Sequence, residues 1–74
     1  MRYMIKITWH SGRVTYPLGN GTNSTEFPDF ARDYNPYQAH KEKNRWNDNV
    51  GVEHAVAIRS LKEIINNMNE LVMI

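Results

Sequence analysis

The chain of 74 residues contains no cysteine. A disulfide, a cysteine-ligated zinc site and a thiol nucleophile are therefore excluded. The apolar runs are also short, since none approaches the roughly 20 residues that a membrane-spanning helix needs. Residues 1–6 lack the charged-then-apolar layout of a signal peptide, so we expect a cytoplasmic protein with no membrane partner.

Motifs that carry catalytic chemistry are absent as well. The sequence has no serine-nucleophile motif, no phosphate-binding loop and no dinucleotide-binding fingerprint. Its three histidines do not have the spacing of metal ligands, and its acidic residues are scattered along the chain. A chain of this size rarely has room for both a core and a water-excluding cleft. We therefore predict no enzyme, no catalytic residues, no metal and no cofactor.

Acidic residues are missing from the first 25 positions, although the whole chain has a net charge of only +1. The small total argues against a dedicated polyanion binder, which usually carries a large basic excess. Before the first acidic residue, Glu26, the chain contains Arg2, Lys6 and Arg13. One end of the molecule is therefore expected to be locally positive.

The N-terminal segment has the pattern of a β-hairpin. Residues 2–10 alternate between apolar and polar side chains, as in a half-buried strand. The apolar members are Tyr3, Ile5, Ile7 and Trp9, followed after a turn by Val14, Tyr16 and Leu18. Ser11-Gly12 predicts a two-residue turn, which pairs Trp9 with Val14 and gathers the apolar residues on one face. The opposite side, which we call the basic ribbon face, is the first candidate binding surface, with the side chains Arg2, Lys6, His10 and Arg13.

Two short helices are predicted after the polar loop of residues 19–24. The first begins at an N-cap, Thr25, and ends at Tyr34 because Asn35 precedes a proline. Its expected core face consists of Phe27, Phe30, Ala31 and Tyr34. The second is capped by Asn35, has Pro36 in its first position and continues to about Trp46. Its apolar face is thin, so we expect it to lie superficially.

The second helix also provides a second candidate surface. Its later residues interleave basic side chains with an aromatic ring, a composition that suits phosphate contacts and base stacking. The same alternation is typical of an exposed, soluble helix. The candidate residues of this basic-aromatic helix are Lys41, Lys43, Arg45 and Trp46.

Residues 51–70 are open to two interpretations. Apolar residues recur at helical spacing there and predict the main core helix, in which Val52 and Val56 lie one turn apart as an apolar contact site. The alternative is a strand, because every second residue from 50 to 58 fits an extended pattern and residues 60–63 match a capping box. We favour the helix, since Ala55 and Ala57 are poor strand residues.

The sequence thus predicts a single α+β domain, residues 1–74, with the order ββααα: a two-stranded hairpin packed on two short helices and a longer C-terminal one. Nine asparagines, no cysteine and a minimal chain resemble the composition of compact accessory proteins of phages and mobile elements. We expect a noncatalytic protein-binding module, such as an inhibitor that occupies the surface of a larger host protein, in which case it would act in the host cytoplasm. The alternative is a small nucleic-acid-binding protein, and a homodimer is a further expectation because hairpin edges invite pairing.

Overall fold

The computed structural model describes residues 1–19 and 21–61, which form a four-stranded antiparallel sheet with one α-helix on one face. The elements are β1 (Tyr3–Trp9), β2 (Val14–Pro17), β3 (Ser24–Thr25), a 3₁₀ turn (Pro28–Phe30), α1 (Pro36–Asn47) and β4 (Val52–Arg59). The strand order is β3-β2-β1-β4. We call the face of the sheet against α1 the inner face and the opposite one the outer face.

The predicted two-stranded hairpin with three helices is wrong, because residues 52–59 form a strand. β4 pairs with β1 from Tyr3 opposite Arg59 to Trp9 opposite Val52, with one register shift at Glu53. An isolated two-stranded ribbon is marginal, and β4 satisfies the edge of β1 that β2 leaves free. The strand alternative is therefore correct for this segment. The rest of the predicted core helix, residues 62–70, lies outside the described residues.

The two alanines that argued against a strand have a structural role in it. Ala55 is 2% exposed and lies opposite Ile7, while Ala57 lies opposite Ile5. Both are on the inner face, where their small side chains leave room for α1 to approach the sheet. Poor intrinsic strand propensity is overridden here by packing.

The hairpin is present, but its predicted register is wrong by one residue. Thr8 pairs with Val14, and Trp9 donates its backbone N–H to the carbonyl of Arg13 at 2.9 Å. The loop therefore has three residues, 10–12, and its last, Gly12, has a φ of 92°. A three-residue loop that ends in a left-handed glycine is a stable hairpin connection. Gly12 is therefore the third residue of the observed loop, whereas it would be the second residue of the predicted two-residue turn.

This shift exchanges the two faces of β2. Thr15 and Pro17 are buried, whereas Val14 and Tyr16 lie on the outer face and are partly exposed. The buried hydroxyl is satisfied, because Trp9 Nε1 donates a hydrogen bond to Thr15 Oγ1 at 2.7 Å. A polar residue is thus accepted at a position where the hydrophobic pattern predicted an apolar one.

The second predicted helix is confirmed as α1, and so is its N-terminal signal. The side chain of Asn35 accepts a hydrogen bond from the backbone N–H of Gln38 at 2.8 Å, and Pro36 occupies the first position. The helix is not superficial, however, since Ala39 and Trp46 are both 2% exposed and face the sheet. The core that α1 forms with the sheet consists of Ile5, Ile7, Tyr34, Ala39, Trp46, Val52 and Ala55.

The first predicted helix is wrong. Thr25 belongs to β3, and only the 3₁₀ turn Pro28–Phe30 follows it. Tyr34 is extended and exchanges two backbone hydrogen bonds with Tyr3, at 2.7 and 2.9 Å. Because β2 ends at Pro17, the backbone groups of Tyr3 need another partner, and the segment before α1 supplies it.

Candidate functional site

The most unusual surface feature is a pair of exposed phenylalanines on the 3₁₀ turn. Phe27 is 64% exposed and Phe30 is 70% exposed, although both were predicted to be core residues. Their rings contact each other edge to face, with centroids 6.2 Å apart and an interplanar angle of 84°. Two large aromatic rings side by side in solvent lose the stabilisation that burial would give, so this pair is suited to burial against another molecule.

The backbone beneath the two rings is held in one conformation. Phe30 donates its N–H to the carbonyl of Phe27 and Ala31 to that of Pro28, both at 3.1 Å. The N–H of Phe27 is bound by Thr25 Oγ1 at 3.1 Å. Pro28 additionally restricts the backbone at the first position of the turn. The phenylalanines are therefore presented on an ordered turn, which lowers the entropic cost of binding.

Polar contacts tie this turn to the rest of the molecule. Arg13 donates from Nε and Nη2 to Glu26 Oε1, at 3.0 and 2.6 Å. The Tyr34 hydroxyl donates to the carbonyl of Gly19 at 2.7 Å. Burial raises the pKa of this hydroxyl above its usual value, and the nearby Glu42 carboxylate raises it further. Tyr34 therefore remains a protonated hydrogen-bond donor at neutral pH.

The basic ribbon face does not form one uniform cationic surface. Lys6 is exposed on the outer face, and His10 lies in the hairpin loop. Arg2 donates from Nη2 to the carbonyl of Asp33 at 3.3 Å, and Arg13 is neutralised by Glu26. Of these four side chains, Lys6 is thus the cation that the sheet presents outwards.

The basic-aromatic helix is also divided by the fold. Trp46 is buried and meets Trp9 edge to face, with centroids 5.9 Å apart, so it is not accessible to a base. Arg45 lies over the ring of Trp46 at 5.0 Å, and it also donates to the carbonyl of Gly21 at 2.8 Å and to Glu42. Lys43 lines a cleft beside the sheet.

Lys41 is on the solvent side of α1. Its Nζ lies 5.5 Å from the centroid of Tyr37, a ring that is 72% exposed. The four residues of the basic-aromatic helix therefore have four different surroundings. They do not form a joint stacking platform.

Val52 and Val56 are not neighbours on a helix, because both belong to β4. Val52 is 6% exposed and lies opposite Trp9 on the inner face. Val56 is 39% exposed and lies opposite Lys6 on the outer face. The predicted contact site of Val52 and Val56 is therefore wrong, because the two side chains lie on opposite faces of the sheet.

The helical spacing of Phe27 and Phe30 predicts a core face, but the turn-forming residues around them favour exposure. Pro28 and Asp29 lie between the two phenylalanines in the sequence. Polar, turn-forming residues precede them from residue 19 onwards. Such a segment favours a turn over a helix. In the structure, both rings lie on the solvent side of this turn.

No group of three or more histidine or acidic side chains that could hold a metal ion occurs within residues 1–19 and 21–61. In the same part of the chain, no helix is long and apolar enough to cross a membrane. Comparison of the chain with protein-family models, curated proteins and solved structures finds no match. The functional argument therefore depends on the geometry of the described residues.

Proposed function

We propose that the protein is a noncatalytic protein-binding module whose main anchor is the Phe27–Phe30 pair. The observation that carries this proposal is the exposure of two adjacent aromatic rings on an ordered turn. Aromatic side chains dominate binding energy at protein interfaces. Burying one phenylalanine side chain contributes about 1.5–3 kcal/mol, so the pair can anchor an interface.

The surroundings of the pair indicate the kind of partner surface it would fit. Asp29 lies between the two phenylalanines and is exposed, whereas the charge of Glu26 is already compensated by Arg13. A complementary surface would provide an apolar pocket for the rings and a basic group at its rim. The expectation that such binding inhibits a larger host protein stays a prediction.

The test compares two variants of the tagged protein. F27A/F30A removes both rings, and Val50→Ala is the matched control, because Val50 is 94% exposed and lies elsewhere on the surface. We expect a protein captured by the wild type and by the control to be lost with the double variant. With the purified partner, calorimetry should show a dissociation constant raised more than about tenfold. An unchanged dissociation constant for the double variant would overturn the proposal.

Nucleic-acid binding is the alternative, and one observation favours it. The paired outer-face residues include no acidic side chain, and Lys6 is exposed there beside the partly exposed Tyr16. This combination of a cation and an aromatic ring suits a single-stranded nucleic acid. Arg13 is neutralised by Glu26 and Trp46 is buried, so few of the predicted nucleic-acid contacts remain available and we rank this function second.

The alternative has a simple test in a gel-shift titration at low salt. Binding through the outer face predicts that Lys6→Glu weakens retardation of a single-stranded oligonucleotide and that added salt weakens it for the wild type. Lys41→Glu, on the solvent side of α1, is the control for a general charge effect. Absence of retardation by the wild type would eliminate this function.

A further inference from the structure

A cleft of about 220 Å³ lies between α1 and the neighbouring strands β1 and β4. It is lined by Tyr3, Pro36, Ala39, His40, Lys43 and Ala57. β4, which contributes to the cleft, is the edge strand opposite β3. The Phe27–Phe30 turn follows β3 in the sequence. The cleft is therefore distinct from the surface proposed above.

The end of α1 shows how the edge of β4 is satisfied next to the cleft. Asn47 Nδ2 donates to the carbonyl of Ala55 at 2.9 Å, and Asn47 Oδ1 accepts from the N–H of Ala55 at 2.7 Å. A carboxamide that makes both bonds occupies the place of one residue of a neighbouring strand. The N–H and C=O of Ala55 therefore point away from β1.

The same orientation holds two residues further along the strand. Backbone groups of a strand repeat with a period of two, so Ala57 also points its N–H and C=O outwards. The partner strand agrees, because Tyr3, opposite Arg59 in this register, bonds Tyr34 on its side away from β4. Among the described residues, none makes the corresponding bonds to the N–H and C=O of Ala57, and Ala57 is one of the residues that line the cleft.

Within residues 1–19 and 21–61, the N–H and C=O of Ala57 are thus unpaired, and such groups at a sheet edge are a template for an added strand. The walls of the cleft add a charge preference. Lys43 supplies a positive charge, His40 an imidazole, and none of the described lining residues is acidic. A negatively charged occupant is complementary to this lining.

We propose that the cleft binds an extended acidic peptide segment of a partner protein, which adds to β4 as a further strand. Its backbone pairs with the N–H and C=O of Ala57, in line with the carboxamide of Asn47. One of its carboxylates contacts Lys43. A second copy of this chain is a poorer occupant, because symmetric pairing of two β4 edges brings the same cationic lining together from both sides.

The test is an NMR titration of the isotope-labelled full chain with blocked five-residue peptides. We expect a peptide of alternating valine and glutamate to shift the amide signals of Ala57 and Lys43. A peptide of alternating valine and lysine should not, and methylation of the central amide nitrogen of the acidic peptide should abolish binding. Lys43→Glu should weaken binding at least about fivefold, whereas the control Lys41→Glu should change it less than about twofold.

A second variant separates backbone pairing from charge. Ala57→Pro removes the outward N–H at an edge position, where a sheet tolerates proline, and circular dichroism checks that the sheet persists. Folded A57P protein that binds the acidic peptide as tightly as the wild type would overturn strand addition. Equal effects of Lys43→Glu and Lys41→Glu, equal binding of the lysine peptide, or no shift at Ala57 would each overturn the proposal. Sedimentation as a dimer through this edge would assign the edge to a second copy and overturn it as well.

Discussion

Two aromatic pairs in this protein have the same geometry and opposite surroundings. Trp9 and Trp46 meet edge to face at 5.9 Å and 80°, and Phe27 and Phe30 do so at 6.2 Å and 84°. The tryptophans lie in what we call the packed half, formed by α1, β1 and β4. The phenylalanines lie in what we call the arm, residues 18–19 and 21–30.

The two pairs differ in whether another element shields the rings from water, and not in the chemistry of the rings. In the packed half, α1 lies across the sheet and excludes water from Trp46, which is 2% exposed. The arm is held instead by hydrogen bonds and an ion pair, such as the contact of Arg13 with Glu26. Apolar burial thus stabilises one half, while polar contacts order the other and leave its aromatic rings available to a partner.

Truncation of the buried ring should have the largest effect. Trp46→Ala removes the ring that contacts Trp9 and lies under the Arg45 guanidinium. Replacing a buried tryptophan by alanine lowers the free energy of unfolding by about 3–5 kcal/mol. This is a large share of the stability of a domain of this size. Urea unfolding should show a much lower midpoint for this variant. Phe27→Ala is the matched control and should stay within about 0.5 kcal/mol of the wild type, so equal losses would abolish the distinction between the two halves.

The edge of the packed half gives the next largest effect. Asn47→Ala removes both hydrogen bonds to Ala55 and leaves its backbone groups without their partner, at a cost of about 1–3 kcal/mol. Asn44→Ala, on the exposed side of the same helix, should cost much less. Thermal unfolding of the two variants measures the difference. A neutral Asn47→Ala would contradict the role of this side chain as a substitute strand.

The junction between the halves is tested by Tyr34→Phe. Loss of the hydroxyl that binds the Gly19 carbonyl should cost about 1 kcal/mol at neutral pH, measured by urea unfolding. Since Phe retains the buried ring, the packed half should remain intact. A loss as large as that of Trp46→Ala would show that the junction, and not the core, supports the fold.

Tyr34 should also make the free energy of unfolding depend on pH in the alkaline range. Burial holds the folded-state pKa of Tyr34 above its ordinary value near 10, so the proton is held more tightly in the folded protein. The resulting stabilisation is complete below that ordinary value and is lost as the pH rises through the folded-state pKa. The free energy of unfolding of the wild type should therefore fall towards that of Tyr34→Phe at alkaline pH. A constant difference across this range would contradict the prediction.

The smallest effect is expected in the arm. Arg13→Ala breaks an ion pair whose side chains are 65% and 55% exposed, and such pairs contribute about 0.2–1 kcal/mol. The loss should shrink at high salt, because salt screens exposed charges. Lys41→Ala, on the solvent side of α1, controls for general charge. A loss that is large and independent of salt would show that the arm is not a polar, surface-held region.

The sequence predicts well those features that depend on a few neighbouring residues. The alternation of β1 correctly placed Ile5 and Ile7 in the core, and the Asn35-Pro36 signal correctly placed the start of α1. The candidate surfaces were predicted less well. Arg13 and Arg45 are cations in the sequence, but Glu26 and Glu42, which compensate them, can be identified only from the structure.

Composition and local pattern by themselves determined that the protein is an α+β chain without cysteine chemistry, with a hairpin at its start and a capped helix at Pro36. The tertiary structure alone decided that residues 52–59 extend as β4, that Gly12 closes a three-residue loop, and that Phe27 and Phe30 remain outside. Capping and alternation are satisfied within a few residues of chain. The choice between strand and helix, or between core and surface, depends on distant groups, above all on the edge of β1 that β4 fills and on the inner face that α1 covers.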